Sequence, residues 1–291
     1  MHIPPLLASC WTHAGNAAPQ WPDERSPFDI LERVAAVADS GWQGIGLVHA
    51  DLVEVKRSIG LPRLASAIRD SGLEHVEVEF LGDWWTDGID RTASDQVRRD
   101  LFEAAEVLGA RTIKAAGRMF SDDVDLDIMA EAFDQLAREA KEHGARIALE
   151  TLPFTNFRTV GDGSRFVSGV GNENGGIIVD IWHVYRAGNV PDDLLRDVDP
   201  RYLFAVELND ALAPTPPYEE LWADTVDERR LPGEGDWDVP RFIEVVRELG
   251  YSGAWGVEIL SAEHRRKSLH DEVASALAAT RRAFELAGPV G

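Results

Sequence analysis

Short apolar runs alternate with longer amphipathic stretches along the whole chain. Eight runs have the length of a strand: Leu6–Cys10, Gly44–Val48, His75–Leu81, Thr112–Ala116, Arg146–Thr151, Gly176–Ile181, Leu203–Leu208 and Ala254–Leu260. Most are bounded by Gly, Asp or Asn, residues that end extended chain and start turns. Between the runs, apolar residues recur at helical spacing. Pro27–Asp39 places Ile30, Leu31, Val34 and Val37 on one face, with Ser26 as the expected cap. Leu61–Asp70, Ser94–Leu108, Leu126–Glu142, Val239–Leu249 and Ser268–Leu286 continue the helical series. The Gly-rich segment Asn156–Asn174 reads as a broken or short helix, and Asp192–Val198 as another short one. The longest irregular stretch is Ala211–Trp237, which holds Pro214, Pro216, Pro217 and Pro232. Long loops in compact domains usually serve function, often as lids.

Eight strands separated by helices predict an α/β architecture with a parallel sheet. Eight is also the number that closes a (β/α)8 TIM barrel, and 291 residues suit one such domain spanning 1–291. A doubly wound open sheet is the alternative. It would carry a Gly-x-Gly-x-x-Gly turn after the first strand, and Cys10–Gly15 has none.

In a barrel, the C-terminal ends of the strands converge on one face, where chemistry sits. Strand five ends at Glu150, strand six at Asp180 and strand seven near Glu207, and strand eight carries Glu258. Each acid interrupts an apolar run at a corresponding place. Carboxylates brought together repel, and a divalent cation resolves the repulsion by replacing protons. The plainer alternative is an ion-pair network in which each acid faces a Lys or Arg. Four acids in register favour the metal, and oxygen ligands favour Mg²⁺ or Mn²⁺ over Zn²⁺. Four carboxylates on one divalent ion leave an excess of negative charge. Lys114, Arg118 and Arg230 are the candidates to offset it, and Lys114 and Arg230 double as expected substrate contacts.

Charge and composition narrow the partners. The 29 Lys+Arg against 51 Asp+Glu leave a formal net charge of −22. That charge opposes nucleic acid and anionic membrane as partners. A single cysteine, Cys10, excludes an internal disulfide framework and a thiolate zinc cluster. No apolar run is long enough to span a membrane. The start Met1-His2-Ile3-Pro4-Pro5 lacks the form of a secretory signal, so the expected location is the cytoplasm.

These residues resemble the xylose isomerase-like TIM-barrel superfamily of sugar isomerases, epimerases and dehydratases. The resemblance rests on LET at 149–151, D-x-x-H at 180–183, VELND at 206–210, PGEGDWD at 232–238 and GVEI at 256–259. It implies metal ligands at Glu150, Asp180 and Glu258. The strand-seven ligand of the family is usually His, or Gln in some dehydratases and isomerases; here it is Glu207. The resemblance also implies a substrate contact for His183 and a homodimer or homotetramer. The endonuclease IV branch needs three zinc ions and many His ligands, which this chain does not supply.

The expected chemistry is removal of a proton beside a carbonyl. Glu150 and Glu258 would act as the acid/base pair, as their counterparts do in the epimerases. Returning the proton elsewhere isomerises or epimerises; expelling a β-hydroxyl makes the enzyme a dehydratase of a cyclic keto-polyol, such as an inosose or a 3-dehydroshikimate-like compound. Glu207 in place of His, and the loop from Arg230 through PGEGDWD, lean toward that alternative. A non-catalytic sugar-binding subunit is a third reading, which the intact acidic quartet opposes. Trp11, Trp84, Trp85, Phe154 and Trp182 are expected near the mouth, where flat rings suit the apolar face of a sugar. His13 and His49 follow strands one and two and are candidates for polyol contacts. The run His264-Arg265-Arg266-Lys267 could hold a phosphate, but no Gly-rich cradle accompanies it. An unphosphorylated sugar, keto-polyol or keto acid is therefore preferred.

Overall fold

The computed structural model describes residues 3–288, so Met1 and His2 of the start lie outside the described residues. Eight parallel strands close into a barrel in sequence order: β1 (Leu6–Ala8), β2 (Gly44–Val48), β3 (His75–Leu81), β4 (Thr112–Ala116), β5 (Arg146–Glu150), β6 (Gly175–Asp180), β7 (Leu203–Leu208) and β8 (Trp255–Val257). The eight predicted runs are these strands, shifted or trimmed at some ends. The open-sheet alternative is excluded, because β1 pairs with both β2 and β8. Helices cover the outside. Their apolar stripes meet the outward strand residues in one continuous core that includes Val37, Ile45, Phe133, Ile147, Val179, Phe242 and Val257.

Eleven α-helices are present among the described residues. Helix α1 (Ile30–Ser40) starts at Asp29, whose carboxylate accepts from the amides of Leu31 and Glu32. Ser26 was expected in that place; its hydroxyl instead accepts from Phe28 N, one turn too early. Helix α6 (Val160–Val170) is regular despite its three glycines, because Thr159 and Asp162 form a reciprocal capping box. Three helices fall outside the predicted series. They are α2 (His49–Ser58), α7 (Ile181–Arg186) and α9 (Leu221–Asp227). The first two start directly from strand ends, with no loop to announce them. The third lies inside the stretch 211–237, which is therefore only partly irregular.

Helix α11 (Leu269–Leu286) carries a buried oddity. Glu272 is fully buried, and neither carboxylate oxygen has a hydrogen-bond partner. Burial pushes its carboxyl from 4.5 up to about 8, against the smaller pull of the Gly15 amide, Arg33 and Lys267. Below about pH 4.5 the folded and unfolded chains both hold this proton. As pH rises toward 8, the unfolded chain has released it while the folded chain keeps it, so stability falls. Glu272→Gln should raise the melting temperature at pH 8.5 by about 4 °C and at pH 5 by less than about 1 °C. An equal shift at both values would show that the carboxyl does not titrate in this window.

Candidate active site

Strand alternation aims the chemistry inward. Ala148, Ile178 and Ala205 form a small cluster with Phe204, and Glu150, Asp180 and Glu207 follow two residues later on the same strands. Glu258 stands one residue past β8. One oxygen from each of Glu150, Asp180, Glu207 and Glu258 lies within 4.8 Å of the other three. All four side chains are buried. Oxygens across one divalent ion are roughly 4–5 Å apart, so this set suits a single ion.

Each carboxylate is held differently. Asp180 caps α7: its Oδ1 accepts from Trp182 N at 2.7 Å and from Asn209 Nδ2 at 2.9 Å. The same helix start brings His183 Nε2 to 2.9 Å from Glu150 Oε1, so that ring nitrogen donates. Arg229 donates through one nitrogen to Asp180 Oδ2 at 2.7 Å and to Glu258 Oε2 at 2.9 Å. Lys114 Nζ reaches Glu207 Oε1 at 2.5 Å, Glu79 Oε2 at 2.6 Å and Glu258 Oε1 at 3.4 Å. Opposite Glu207 in the ladder stands Gly256, where a Cβ would come within 2.8 Å of Glu207 Cγ. Glycine is required there to admit the glutamate.

These surroundings set the protonation states. Burial opposes ionisation of every carboxyl in the cluster. At Glu150 burial is the largest single influence, but the bond and charge of His183 together with Lys114 outweigh it, and the carboxyl sits below its ordinary value. Arg229 and His183 do the same for Asp180. At Glu207 burial and the facing Glu258 win, and the carboxyl is raised well above the ordinary value despite Lys114. Glu258 is raised as well, by burial against Lys114 and Arg229. Burial also lifts Glu79 to about 7.

Above the quartet opens a cavity of about 400 Å³. Glu150, His183, Arg229 and Glu258 form its floor, and Glu79 faces it from β3. Trp11 and His49 line it as expected, with His49 tied to Asp100 at 3.2 Å. Phe80, Met119, Leu152 and Trp222 complete an apolar wall that the sequence reading did not single out.

Several expected residues lie elsewhere. Arg230 is not in the site: the backbones of Asp210 and Arg230 pair as an antiparallel bridge, and the alternation of extended chain turns Arg229 inward and Arg230 out to Glu263. Trp84 is buried behind the barrel, donating to Ala116 O and packing on Trp85 and Phe133. Trp182 is buried and donates to Asp224. Phe154 backs the wall through Trp222. His13 is locked between Arg33 and Gly46 O. His264 and Arg265 bond to the carbonyls of Thr12 and Val226, which occupies them structurally. Lys114 lies beneath the cavity rather than on its wall.

Arg229, Glu77 and Glu79 were missed. The two glutamates had a signal: they alternate in HVEVEFL, which puts both on one face of β3. The PGEGDWD motif wraps Asp210, whose carboxylate accepts from the amides of Ala211, Gly233, Gly235 and Trp237. That wrapping fixes the bridge that aims Arg229.

A family model described as xylose isomerase-like TIM barrel matches residues 34–283. An inosose isomerase of Halalkalibacterium halodurans is 28% identical over 144 residues, 49% of this chain and 49% of that protein. A 3-dehydroshikimate dehydratase of Pseudomonas aeruginosa is 25% identical over 237 residues, 80% of this chain and 36% of that protein. The matches thus span about half, or less, of these curated relatives. A solved structure described as the IolI protein with a binding zinc atom superposes with a TM-score of 0.77 at 17% identity, covering 97% of this chain and 98% of that one.

The two neighbouring arginines make a direct test of the site. Arg229→Leu leaves Asp180 and Glu258 buried without their shared cation and should destabilise the fold by about 3–5 kcal/mol. Arg230→Leu removes only a half-exposed pair and should change stability by less than about 1 kcal/mol. Urea unfolding of both variants measures the contrast, and equal effects would refute the assignment of Arg229.

Proposed function

The chain belongs to the xylose isomerase-like TIM-barrel family, and on that premise we propose that it is a metal-assisted isomerase or epimerase of a small keto-polyol. One observation carries the reading. Glu150 and Glu258 meet at the same cluster and both line the cavity, Glu150 bonded by His183 and Glu258 by Arg229. Two carboxyls held so differently at one place suit proton abstraction and return at one carbonyl.

The donor set fits a hard divalent ion. It consists of carboxylate oxygens, and Glu207 Oε2 is buried with no hydrogen-bond partner. Mn²⁺ or Mg²⁺ suits such donors best, and the structural relative with a binding zinc atom supports a divalent ion. Held by Glu150, Asp180, Glu207 and Glu258, it would polarise a substrate carbonyl and ease loss of a proton from the next carbon. Glu150 takes that proton, with His183 orienting it. Glu258 returns a proton from the other side. Trp11, Phe80 and Trp222 cover the apolar face of the ring and exclude water.

The charge of the wall bears on the substrate. Among the described residues that line the cavity, Arg229 is the one Lys or Arg, and Asp180 and Glu258 already engage it. Glu24, Glu79 and Asp83 line the rest. No lining cation is free for a phosphate or carboxylate, which favours an uncharged keto-polyol such as an inosose. The similarity to the dehydratase supports a second reading, in which Glu258 gives its proton to a departing β-hydroxyl.

Glu150→Gln and Glu258→Gln should each lower kcat by about 10²–10⁴-fold with an unchanged circular dichroism spectrum. Full activity in either variant would remove the acid/base pair. Chelation should abolish turnover and Mn²⁺ or Mg²⁺ should restore it; undiminished turnover of metal-free protein would defeat the reading. Inososes and ketoses followed by NMR in D₂O separate the two outcomes. Solvent deuterium entering an isomeric product marks isomerisation, and loss of water marks the lyase.

A further inference from the structure

Lys114 enters the cluster from below, rising from the middle of β4 with its ammonium almost wholly buried. Its nearest ligand-type partner is Glu207, at 2.5 Å from Oε1. Ser9 Oγ lies 2.5 Å from that same oxygen. The other oxygen, Oε2, is buried and unpartnered. Glu207 is thus divided, with one oxygen committed to a cation and a hydroxyl and the other buried without a partner.

We propose that Lys114 is a built-in counter-cation of the ion site, sharing Glu207 with the divalent ion, fixing that residue as a one-oxygen ligand and lowering the affinity for the ion. The assignment rests on the metal reading above. The charges support it. With Glu77 and Glu79, which also touch Lys114, six carboxylates face two side-chain cations and one divalent ion, so each cation offsets an excess of negative charge. Removing Lys114 alone deepens that excess in the interior, where an unpaired charge is costly, and removing the charge of Glu207 as well relieves part of it. Arg229 cannot take over, because Asp180 and Glu258 hold it from the opposite side. Glu77 and Glu79 steady the ammonium from β3 at 3.5 and 2.6 Å. Lys114 is a positioning residue in this account; it acts through Glu207 and does not line the cavity.

Calorimetric titration of chelator-stripped protein with Mn²⁺ alone tests the assignment in four proteins: wild type, Lys114→Met, Glu207→Gln and the double variant. Lys114→Met should bind Mn²⁺ about tenfold tighter, because Glu207 no longer shares its charge with an ammonium. Glu207→Gln should bind about 10–100-fold weaker. In the Glu207→Gln background, Lys114→Met should change affinity by less than about threefold, since the charge it balanced is gone. Melting of the metal-free proteins gives a second readout. Lys114→Met should lose about 8 °C or fail to fold, and adding Glu207→Gln should recover at least half the loss or restore folding. Unchanged Mn²⁺ affinity in Lys114→Met, an equal effect in both backgrounds, or no recovery in the double variant overturns the role of Lys114. A wild-type protein that takes up no Mn²⁺ overturns the metal reading itself.

Discussion

Carboxylates crowded into an apolar interior repel one another and lose their hydration, and Glu77, Glu79, Glu150, Asp180, Glu207 and Glu258 share one such interior. The structure meets this in three ways. Lys114 neutralises from below, between β3 and β7. Arg229 neutralises from the side, spanning Asp180 and Glu258. Third, burial raises the carboxyls of Glu79, Glu207 and Glu258 above their ordinary values even beside these cations, which opposes the build-up of negative charge. Buried pairs of this kind contribute little net stability against apolar packing. Their persistence in the middle of a barrel points to chemistry rather than to holding the fold.

The same requirement organises the surrounding chain. Asp180 ends a strand and caps a helix in one residue, so α7 must begin there. That start places His183 one turn on, against Glu150. Just past the next strand, Asp210 collects four loop amides, and the backbone bridge to Arg230 follows. Arg229 is delivered by that bridge, then fixed by Thr225 and by the face of Trp182. A short segment just after α9 is in this way held so as to present a charge.

Much of this was legible in the sequence, because strand ends and acidic interruptions are local signals. Glu150, Asp180, Glu207 and Glu258 each break an apolar run at the same depth, and a barrel can only bring such positions together. What was not legible depends on tertiary register. Whether Arg229 or Arg230 faces inward is decided by a bridge between residues twenty positions apart. Trp84 follows β3 as a mouth residue would, but its indole turns back onto the carbonyl of Ala116. Helix α2 was hidden for another reason. It begins without a side-chain cap, and few of its residues are buried. Asp29 outcompeted Ser26 because it stands directly before the first helical turn.

Residue 207 shows how tightly the parts are bound together. A glutamate there needs space, which Gly256 supplies by having no Cβ within the barrel. It needs a counter-charge, which Lys114 supplies from β4. It needs a donor for the oxygen that Lys114 holds, which Ser9 supplies from the end of β1. Three strands have therefore adapted to one carboxylate. A neutral donor at this position would leave Lys114 over-charged and Ser9 without its short bond. The side chain at 207 can change only if the others change with it, which makes these four residues one unit of design.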